Sequence, residues 1–214
     1  MAESVLAWTL SLQRNMPAYT QQQINRQWNQ LPSINSKDLR VSVLGAGELG
    51  LAALSALRKL DYQLNCWSRT LKQIKGVESY TKLSGLQTML GNTDILINLL
   101  PLTQQTHHLL NRKVLSQLPS GAKLINFSRG AIIDTKALLE LLNKNHLSHA
   151  VLDVFEHEPL VPTDPIWQHP NITVLPHISA PTSMMSASEI VAKNVKVYRE
   201  SDIIPKSVDD KVGY

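Results

Sequence analysis

Three ionisable side chains in the C-terminal half of the sequence have the types and positions that acid–base chemistry requires. Arg129, Glu158 and His177 each follow a short apolar segment of strand-like composition. An arginine can hold a carboxylate through two parallel hydrogen bonds. A histidine can transfer a proton to a carbonyl oxygen, and a glutamate can orient the imidazole and favour its charged form. Each residue alone is more often structural, but their appearance after three successive strands predicts a site that reduces a carbonyl group.

A glycine-rich segment earlier in the chain has the form of a phosphate-binding loop. Residues 45–50 read Gly-Ala-Gly-Glu-Leu-Gly, after a β-rich segment and at the start of a helical one. In such a loop the glycines permit a tight turn, a close approach to a pyrophosphate and close helix–strand packing. The N–H groups at the helix N-terminus then bind the phosphates, although a glycine turn without a ligand is the alternative. We predict a nicotinamide dinucleotide site that includes Gly45, Gly47, Glu48, Leu49 and Gly50, with the Glu48 side chain turned away from the pyrophosphate.

The end of the next predicted strand distinguishes NADP(H) from NAD(H). Sites for NAD(H) usually place an acidic residue about twenty residues beyond the glycine loop, where it binds the ribose hydroxyls. Residues 66–70 read Cys-Trp-Ser-Arg-Thr and contain no acid. An arginine there can bind a 2′-phosphate bidentately, although an ordinary solvated arginine is the alternative. We therefore predict NADP(H) in preference to NAD(H), bound through Ser68, Arg69 and Thr70.

The elements that must position these residues alternate between strand and helix along the chain. Strands are predicted at 39–44, 63–67, 77–80, 94–98, 122–126, 149–154 and 172–175. Helices are predicted at 3–30 with a bend or break at Pro17, and at 48–60, 83–90, 111–118, 135–144 with Asp134 as its cap, and 182–199. This alternation predicts an α/β fold, a doubly wound parallel sheet of the Rossmann type with flanking N- and C-terminal helices.

The pattern divides the chain into three parts. Residues 1–37 are predicted to form a helical linker or dimerisation segment, and residues 38–181 the NAD(P)-binding domain. Residues 182–214 are predicted to form a terminal helix and tail. The helix has apolar residues on two faces, which one domain does not cover, so an exposed patch is expected there.

Composition excludes several other classes of protein. Lysine and arginine outnumber acidic residues by 21 to 17 but form no run longer than two, which argues against a nucleic-acid partner. The single cysteine, Cys66, excludes an internal disulfide, and no Cys/His spacing indicates zinc, so no metal site is predicted. The apolar runs are too short to cross a bilayer and the N-terminus lacks a signal peptide. We therefore expect a soluble, cytoplasmic protein with no membrane partner.

Several short segments of the sequence are together highly specific for one known family. They are Val43–Gly47, Cys66–Arg69, Val77–Tyr80, Ile95–Pro101, Ser128–Gly130, Leu152–Phe155, Glu158–Leu160 and Pro176–Ile178. Through them the chain resembles the D-isomer-specific 2-hydroxyacid dehydrogenases, and within these the glyoxylate/hydroxypyruvate reductase A type. The resemblance extends from about Val5 to Tyr214.

The resemblance implies a role for each matching residue. It implies that Arg129 binds and polarises the substrate, that His177 is the acid/base, and that Glu158 is its partner. Asp153 is expected near the nicotinamide amide. The segments expected to line the cofactor groove are Leu100-Pro101 and Asn126 to Ser128, which include Phe127. The implied reaction is the NADPH-dependent reduction of a small 2-oxo acid, such as glyoxylate or hydroxypyruvate, to the 2-hydroxy acid.

One departure from the family leaves other functions open. In the family a second domain, of roughly 100 residues before the dinucleotide domain, closes the cleft and donates backbone hydrogen bonds to the substrate. That part is missing here, so we expect a truncated enzyme that binds cofactor but turns over weakly or not at all, and that forms a homodimer through the first helix. The alternatives are a non-catalytic dinucleotide-binding or protein-interaction module, as in the related C-terminal-binding protein corepressors, and an assembly fragment without cofactor.

Overall fold

Short aliphatic segments form the strands of one parallel sheet. The structure, a computed structural model, describes residues 1–205. Within that range the strands are β1 (Arg40–Leu44), β2 (Gln63–Trp67), β3 (Val77–Tyr80), β4 (Ile95–Asn98), β5 (Ala122–Asn126), β6 (Leu147–Leu152) and β7 (Ile172–Val174). Their order is β3-β2-β1-β4-β5-β6-β7, and every neighbouring pair is parallel. This order confirms the predicted doubly wound α/β fold.

Helices connect the strands and cover both faces of the sheet. The helices of the described part are α1 (Ala2–Gln13), α2 (Met16–Ile24), α3 (Glu48–Arg58), α4 (Lys82–Leu90), α5 (Arg112–Leu115), α6 (Thr135–Asn143) and α7 (Met184–Ser201). Asp134 caps α6 as predicted, because its side chain accepts a hydrogen bond from the Ala137 N–H at 3.2 Å. Short 3₁₀ turns lie at Ser36–Asp38, Gly130–Ile132 and Pro165–Gln168.

The central strands are buried on both faces, which explains their nearly continuous runs of aliphatic residues. Successive residues such as Leu96 and Ile97 on β4 belong to two different core clusters, one on each side of the sheet. The cluster that contains Ile97 also includes Val5 of α1 and Leu54 of α3. The other cluster is filled mainly by α4, α5 and α6. The central strands are therefore enclosed by helices on both faces.

The predicted first helix is two helices in the structure. The break falls at Arg14 and Asn15, and Asn15 adopts a left-handed backbone with φ 55°. Pro17 lies in the first turn of α2, where its missing N–H costs no helical hydrogen bond. The prediction that helix continues to residue 30 was wrong, because α2 ends at Ile24.

The predicted helix at 111–118 was too long. The α-helix covers Arg112–Leu115 and is capped by Asn111, which accepts a hydrogen bond from the Val114 N–H at 3.2 Å. After it, the N–H groups of Gln117 and Leu118 bond three residues back instead of four. The chain therefore tightens into a turn here, and Pro119 follows directly.

The chain divides into two compact units, Met1–Ser179 and a second that begins at Ala180. In the second unit α7 carries exposed apolar side chains, including Met184 at 81% and Met185 at 75% exposure. The division at residues 37 and 181 stays a prediction, and residues 206–214 of the predicted tail lie outside the described residues. No helix in the described range combines the length and apolarity that a membrane crossing needs.

Candidate active site

The glycine loop lies at the point where the strand order reverses around β1. Gly45 follows β1 with φ +95°, and its N–H donates to the Trp67 carbonyl oxygen at 2.9 Å. A Cβ on Gly45 would lie 2.7 Å from the Leu99 carbonyl oxygen. A Cβ on Gly50 would lie 1.9 Å from the Gly45 carbonyl oxygen. Glycine is therefore required at both positions, and in open parallel sheets this crevice is where ligands bind.

The start of α3 offers backbone donors beside an open space. Gly47 is the N-cap of α3, and no side chain caps the helix. A Cβ on Gly47 would meet nothing within 4 Å, so the loop is unobstructed on that side. Glu48 and Leu49 are exposed. The N–H groups of the first helical turn and the helix dipole therefore fit the pyrophosphate of a dinucleotide.

The residues predicted to bind a 2′-phosphate lie together after β2. Arg69 and Thr70 are exposed, whereas Ser68 is buried. The Ser68 hydroxyl donates to the Thr70 carbonyl oxygen at 2.7 Å, and Thr81 donates to the Arg69 carbonyl oxygen at 2.9 Å. Ser68 therefore already uses its one hydroxyl proton to shape the turn, and the 2′-phosphate contacts of Ser68, Arg69 and Thr70 stay predictions.

A buried asparagine pair supports the groove predicted for the cofactor; the sequence placed Asn126 in that groove but gave no role to Asn98. Asn98 and Asn126 are the last residues of β4 and β5 and are register partners. The Asn98 amide donates to Asn126 Oδ1 at 2.9 Å, and that oxygen also accepts from the Ser128 N–H at 3.3 Å. Asn98 Oδ1 accepts from the Leu100 N–H at 3.3 Å. In the sequence, this pair could have been recognised because an asparagine ends each of two aliphatic strands.

The groove residues predicted from the resemblance lie around this pair. Leu100 and Phe127 are buried at 6% and 4% exposure, and Pro101 is partly buried. The Ser128 hydroxyl donates to the Leu100 carbonyl oxygen, which joins the segments after β4 and β5. The structure therefore brings these four residues to one edge of the sheet.

Arg129 lies between β5 and the 3₁₀ turn that begins at Gly130. Its guanidinium Nη1 donates to the Ser128 carbonyl oxygen at 2.7 Å. A Cβ on Gly130 would lie 2.0 Å from the carbonyl carbon of Phe155, so this turn packs directly against the segment after β6. Arg129 is consequently close enough for its charge to help lower the pKa of Glu158.

Glu158 and His177 form a hydrogen-bonded pair. His177 Nδ1 lies 2.8 Å from Glu158 Oε2, and the other carboxylate oxygen accepts from the Phe155 N–H at 2.9 Å. Burial alone would raise the pKa of the Glu158 carboxyl, but hydrogen bonds from His177 and Phe155 and the charges of His177 and Arg129 lower it. Glu158 is thus held as a carboxylate, and a proton on Nδ1 leaves Nε2 of the ring to face a ligand. The ring is half-exposed, with 52% of the side chain accessible.

Asp153 holds the loop that carries His177. Its carboxylate accepts from the Ile178 N–H at 2.7 Å and from the Ser179 N–H at 2.9 Å, and its backbone carbonyl accepts from the His177 N–H at 3.0 Å. Asp153 is 2% exposed, and His177 has a left-handed φ of 55°. The structure therefore uses this carboxylate to fix a backbone conformation that non-glycine residues rarely adopt. Its predicted contact with the nicotinamide amide stays a prediction.

The environment of His149 differs from that of His177. His149 is 8% exposed in β6, and its Nε2 lies 2.9 Å from the Thr173 hydroxyl. Burial, with smaller contributions from the charges of Lys123 and His169, lowers the pKa of His149 to about 4. A neutral, enclosed imidazole of this kind is a packing residue.

The fold and the site together define a dinucleotide-binding domain with a histidine–carboxylate pair at its edge. Residues 6–179 match the family described as "D-isomer specific 2-hydroxyacid dehydrogenase, NAD binding domain". The chain belongs to this family of oxidoreductases, which confirms the resemblance seen in the sequence.

Solved structures of the same family have the same fold. A D-isomer specific 2-hydroxyacid dehydrogenase from Xanthobacter autotrophicus Py2, in complex with NADPH and MES, is 34% identical with a TM-score of 0.96; the match covers 100% of this chain and 88% of that one. An NADPH-dependent glyoxylate/hydroxypyruvate reductase from Sinorhizobium meliloti, in complex with NADP and sulfate, is 32% identical with a TM-score of 0.95; the match covers 100% of this chain and 69% of the reductase. A phosphoglycerate dehydrogenase from Lactobacillus plantarum is 29% identical with a TM-score of 0.80; the match covers 97% of this chain and 69% of that dehydrogenase.

Proposed function

We propose that this chain is the cofactor-binding part of an NADPH-dependent reductase of small 2-oxo acids such as glyoxylate or hydroxypyruvate. The observation that carries the proposal is the pair of Glu158 and His177, with 2.8 Å between carboxylate and imidazole, at the same edge of the parallel sheet as the glycine loop. The complexes of the Xanthobacter and Sinorhizobium relatives with NADPH and NADP support the choice of cofactor.

In this proposal each residue has one task. Bound NADPH supplies the hydride. Arg129 binds the substrate carboxylate, because a guanidinium presents two parallel N–H donors. His177 donates a proton from Nε2 to the carbonyl oxygen, while Glu158 keeps Nδ1 protonated and the ring in place. Asp153 acts as a positioning residue, since it fixes the backbone on both sides of the imidazole.

Cofactor binding and turnover test the proposal in sequence. NADPH is titrated into the protein and its fluorescence followed; glyoxylate or hydroxypyruvate is then added and loss of NADPH absorbance measured. Saturable binding followed by turnover that His177→Gln abolishes supports the reductase, and His157→Gln, an exposed neighbour, is the matched control. Binding without turnover favours a non-catalytic module, and absence of NADPH binding overturns the assignment.

The cofactor preference has a separate test. Arg69→Ala is expected to weaken NADPH binding at least about tenfold, because a guanidinium–phosphate contact is lost, and to leave NADH binding nearly unchanged. Lys59→Ala, an exposed basic residue at the opposite end of α3, is the control. Equal losses for NADPH and NADH with Arg69→Ala would show that this residue does not select the 2′-phosphate.

A second candidate function is self-association, and exposed apolar residues after α1 favour it. Trp28 is 94% exposed and Ile24 67% exposed. By contrast, Val5 and Leu12 of α1 are buried within their own chain. A homodimer would therefore use α2 and the segment that follows it. Light scattering after gel filtration should give the dimer mass for the parent protein and the monomer mass for Trp28→Ser.

A further inference from the structure

Two consecutive histidines and a glutamate meet beside the candidate active site. His107 and His108 lie in the turn between β4 and α5, and Glu156 lies in the segment after β6. One ligand atom from each of the three residues lies within 4.8 Å of the others. Among the described residues this is the group of histidines and acids whose geometry suits a metal ion. The spacing in the sequence did not indicate it, because the glutamate comes from a distant segment.

The backbone of the turn directs both imidazoles to the same side. His108 has a left-handed φ of 48°, and the two ring centroids are 4.1 Å apart. The turn is braced by Thr106, whose hydroxyl donates to the Pro101 carbonyl oxygen at 2.6 Å and whose N–H bonds to Thr103. The backbone that carries both rings is thus braced before any ligand binds, which lowers the conformational entropy that binding costs.

The ring nitrogen of His108 that faces the glutamate has no hydrogen-bond partner in the structure. His108 Nε2 is shielded from solvent and lies 3.9 Å from Glu156 Oε2, which is too long for a hydrogen bond. An ion with bonds of roughly 2.0–2.2 Å to each atom holds two tetrahedral ligands about 3.4 Å apart. The pair therefore needs to close by only about half an ångström to bind an ion. Side-chain exposures of 41% for His108 and 43% for Glu156 leave a path for its entry.

We propose that His107, His108 and Glu156 form a binding site for a divalent transition metal of the zinc class. Two imidazoles and one carboxylate suit Zn²⁺, Ni²⁺ or Cu²⁺, with water completing the shell, whereas Mg²⁺ and Ca²⁺ prefer all-oxygen ligands. The inference is independent of the proposed reductase function, because neither NADPH nor a 2-oxo acid enters the argument.

A metal at this position would connect two segments that lie on either side of the Arg129 turn. The His108 N–H donates to the Ala131 carbonyl oxygen at 2.9 Å. On the other side, a Cβ on Gly130 would lie 2.2 Å from the backbone nitrogen of Glu156, so that segment packs tightly on the turn. The site would therefore clamp the turn that follows Arg129, and stability should increase when the metal binds.

Calorimetry with mutational controls tests the proposal on the full chain without a polyhistidine tag. ZnCl₂ titrated into the metal-free protein should show one saturable equivalent, and MgCl₂ should give no binding heat. His107→Ala and Glu156→Gln should each weaken Zn²⁺ at least about tenfold. His157→Ala, an exposed histidine adjacent to Glu156 but outside the group, is the matched control and should bind like the parent protein.

A second measurement distinguishes ligand loss from misfolding. The thermal midpoint of each variant in EDTA should equal that of the parent protein, and Zn²⁺ should raise the midpoint of the parent and of His157→Ala only. Absence of saturable Zn²⁺ binding below about 100 µM overturns the proposal. Full affinity in either His107→Ala or Glu156→Gln, or an equal loss in His157→Ala, overturns it as well.

Discussion

Two loops at the same edge of the sheet are held in place by different kinds of interaction. The glycine loop at residues 45–50 is positioned by backbone packing, with a Cβ on Gly50 placed 1.9 Å from the Gly45 carbonyl oxygen. The loop that carries His177 is positioned by carboxylates, since Asp153 accepts from two N–H groups and Glu158 accepts from the imidazole. The first loop therefore tolerates no added volume at Gly45 or Gly50, whereas the second depends on charge and hydrogen-bonding capacity.

The two loops should therefore respond differently to substitution and to pH. A loop held by close packing is destabilised when an atom is added at a packed position. The loss of stability does not depend on pH, because it arises from steric overlap. A loop held by hydrogen bonds to carboxylates is destabilised when an acceptor is removed or protonated. The loss in free energy of unfolding depends on the burial of the groups left unpaired. The three predictions below test this distinction, in order of decreasing effect on the free energy of unfolding.

Gly50→Ala is expected to have the largest effect. The methyl group would overlap the Gly45 carbonyl oxygen, and overpacking of this kind costs about 3 kcal/mol or more, beyond the roughly 1 kcal/mol that alanine gains in helix propensity. NADPH binding should be lost with it. Urea unfolding measures the stability. Gly47→Ala is the control, because nothing lies within 4 Å of its Cβ, and it should weaken NADPH binding without loss of stability. Parent-like stability of Gly50→Ala would refute the steric account.

Asp153→Asn should have an intermediate effect. The amide NH₂ would face one of the two backbone N–H groups that now donate to the buried carboxylate. One charged hydrogen bond is then lost, which should lower the free energy of unfolding by about 2 kcal/mol. Urea unfolding at neutral pH provides the measurement. Asp164→Asn is the matched control, since Asp164 caps a 3₁₀ turn through one N–H and asparagine caps equally well. If both variants lost the same stability, Asp153 would have no special role in holding the His177 loop.

Glu158→Gln should have the smallest effect on stability, and only this effect should depend on pH. The pKa of Glu158 is lowered from 4.5 in the folded protein, so its carboxylate contributes stability above that value and loses it as pH falls through the lowered folded pKa. With a third of the side chain exposed, the contribution at pH 7 should be below about 1 kcal/mol. Unfolding curves of both proteins should differ at pH 7 and converge in acid; a constant difference would contradict the electrostatic account.

Local sequence patterns were sufficient to predict the layers of the fold. Runs such as 94–98 and 122–126 are aliphatic because helices cover both faces of the sheet, and that composition is visible without any tertiary information. The glycine spacing at 45–50 was equally readable, because Gly45 meets a local backbone requirement with its positive φ and Gly50 packs on Gly45 within the same loop. Element ends were less predictable, as the early termination of α2 at Ile24 demonstrates.

The order of strands and helices, the glycine loop and the residue types at the strand ends can be read from local sequence. Which of those side chains meet depends on the folded chain: Glu158 with His177, Asn98 with Asn126, and His107 and His108 with Glu156. The two kinds of information act over different distances along the chain. Propensity and periodicity act over a few neighbouring residues, whereas contacts between distant segments depend on the order and register of the strands that precede them.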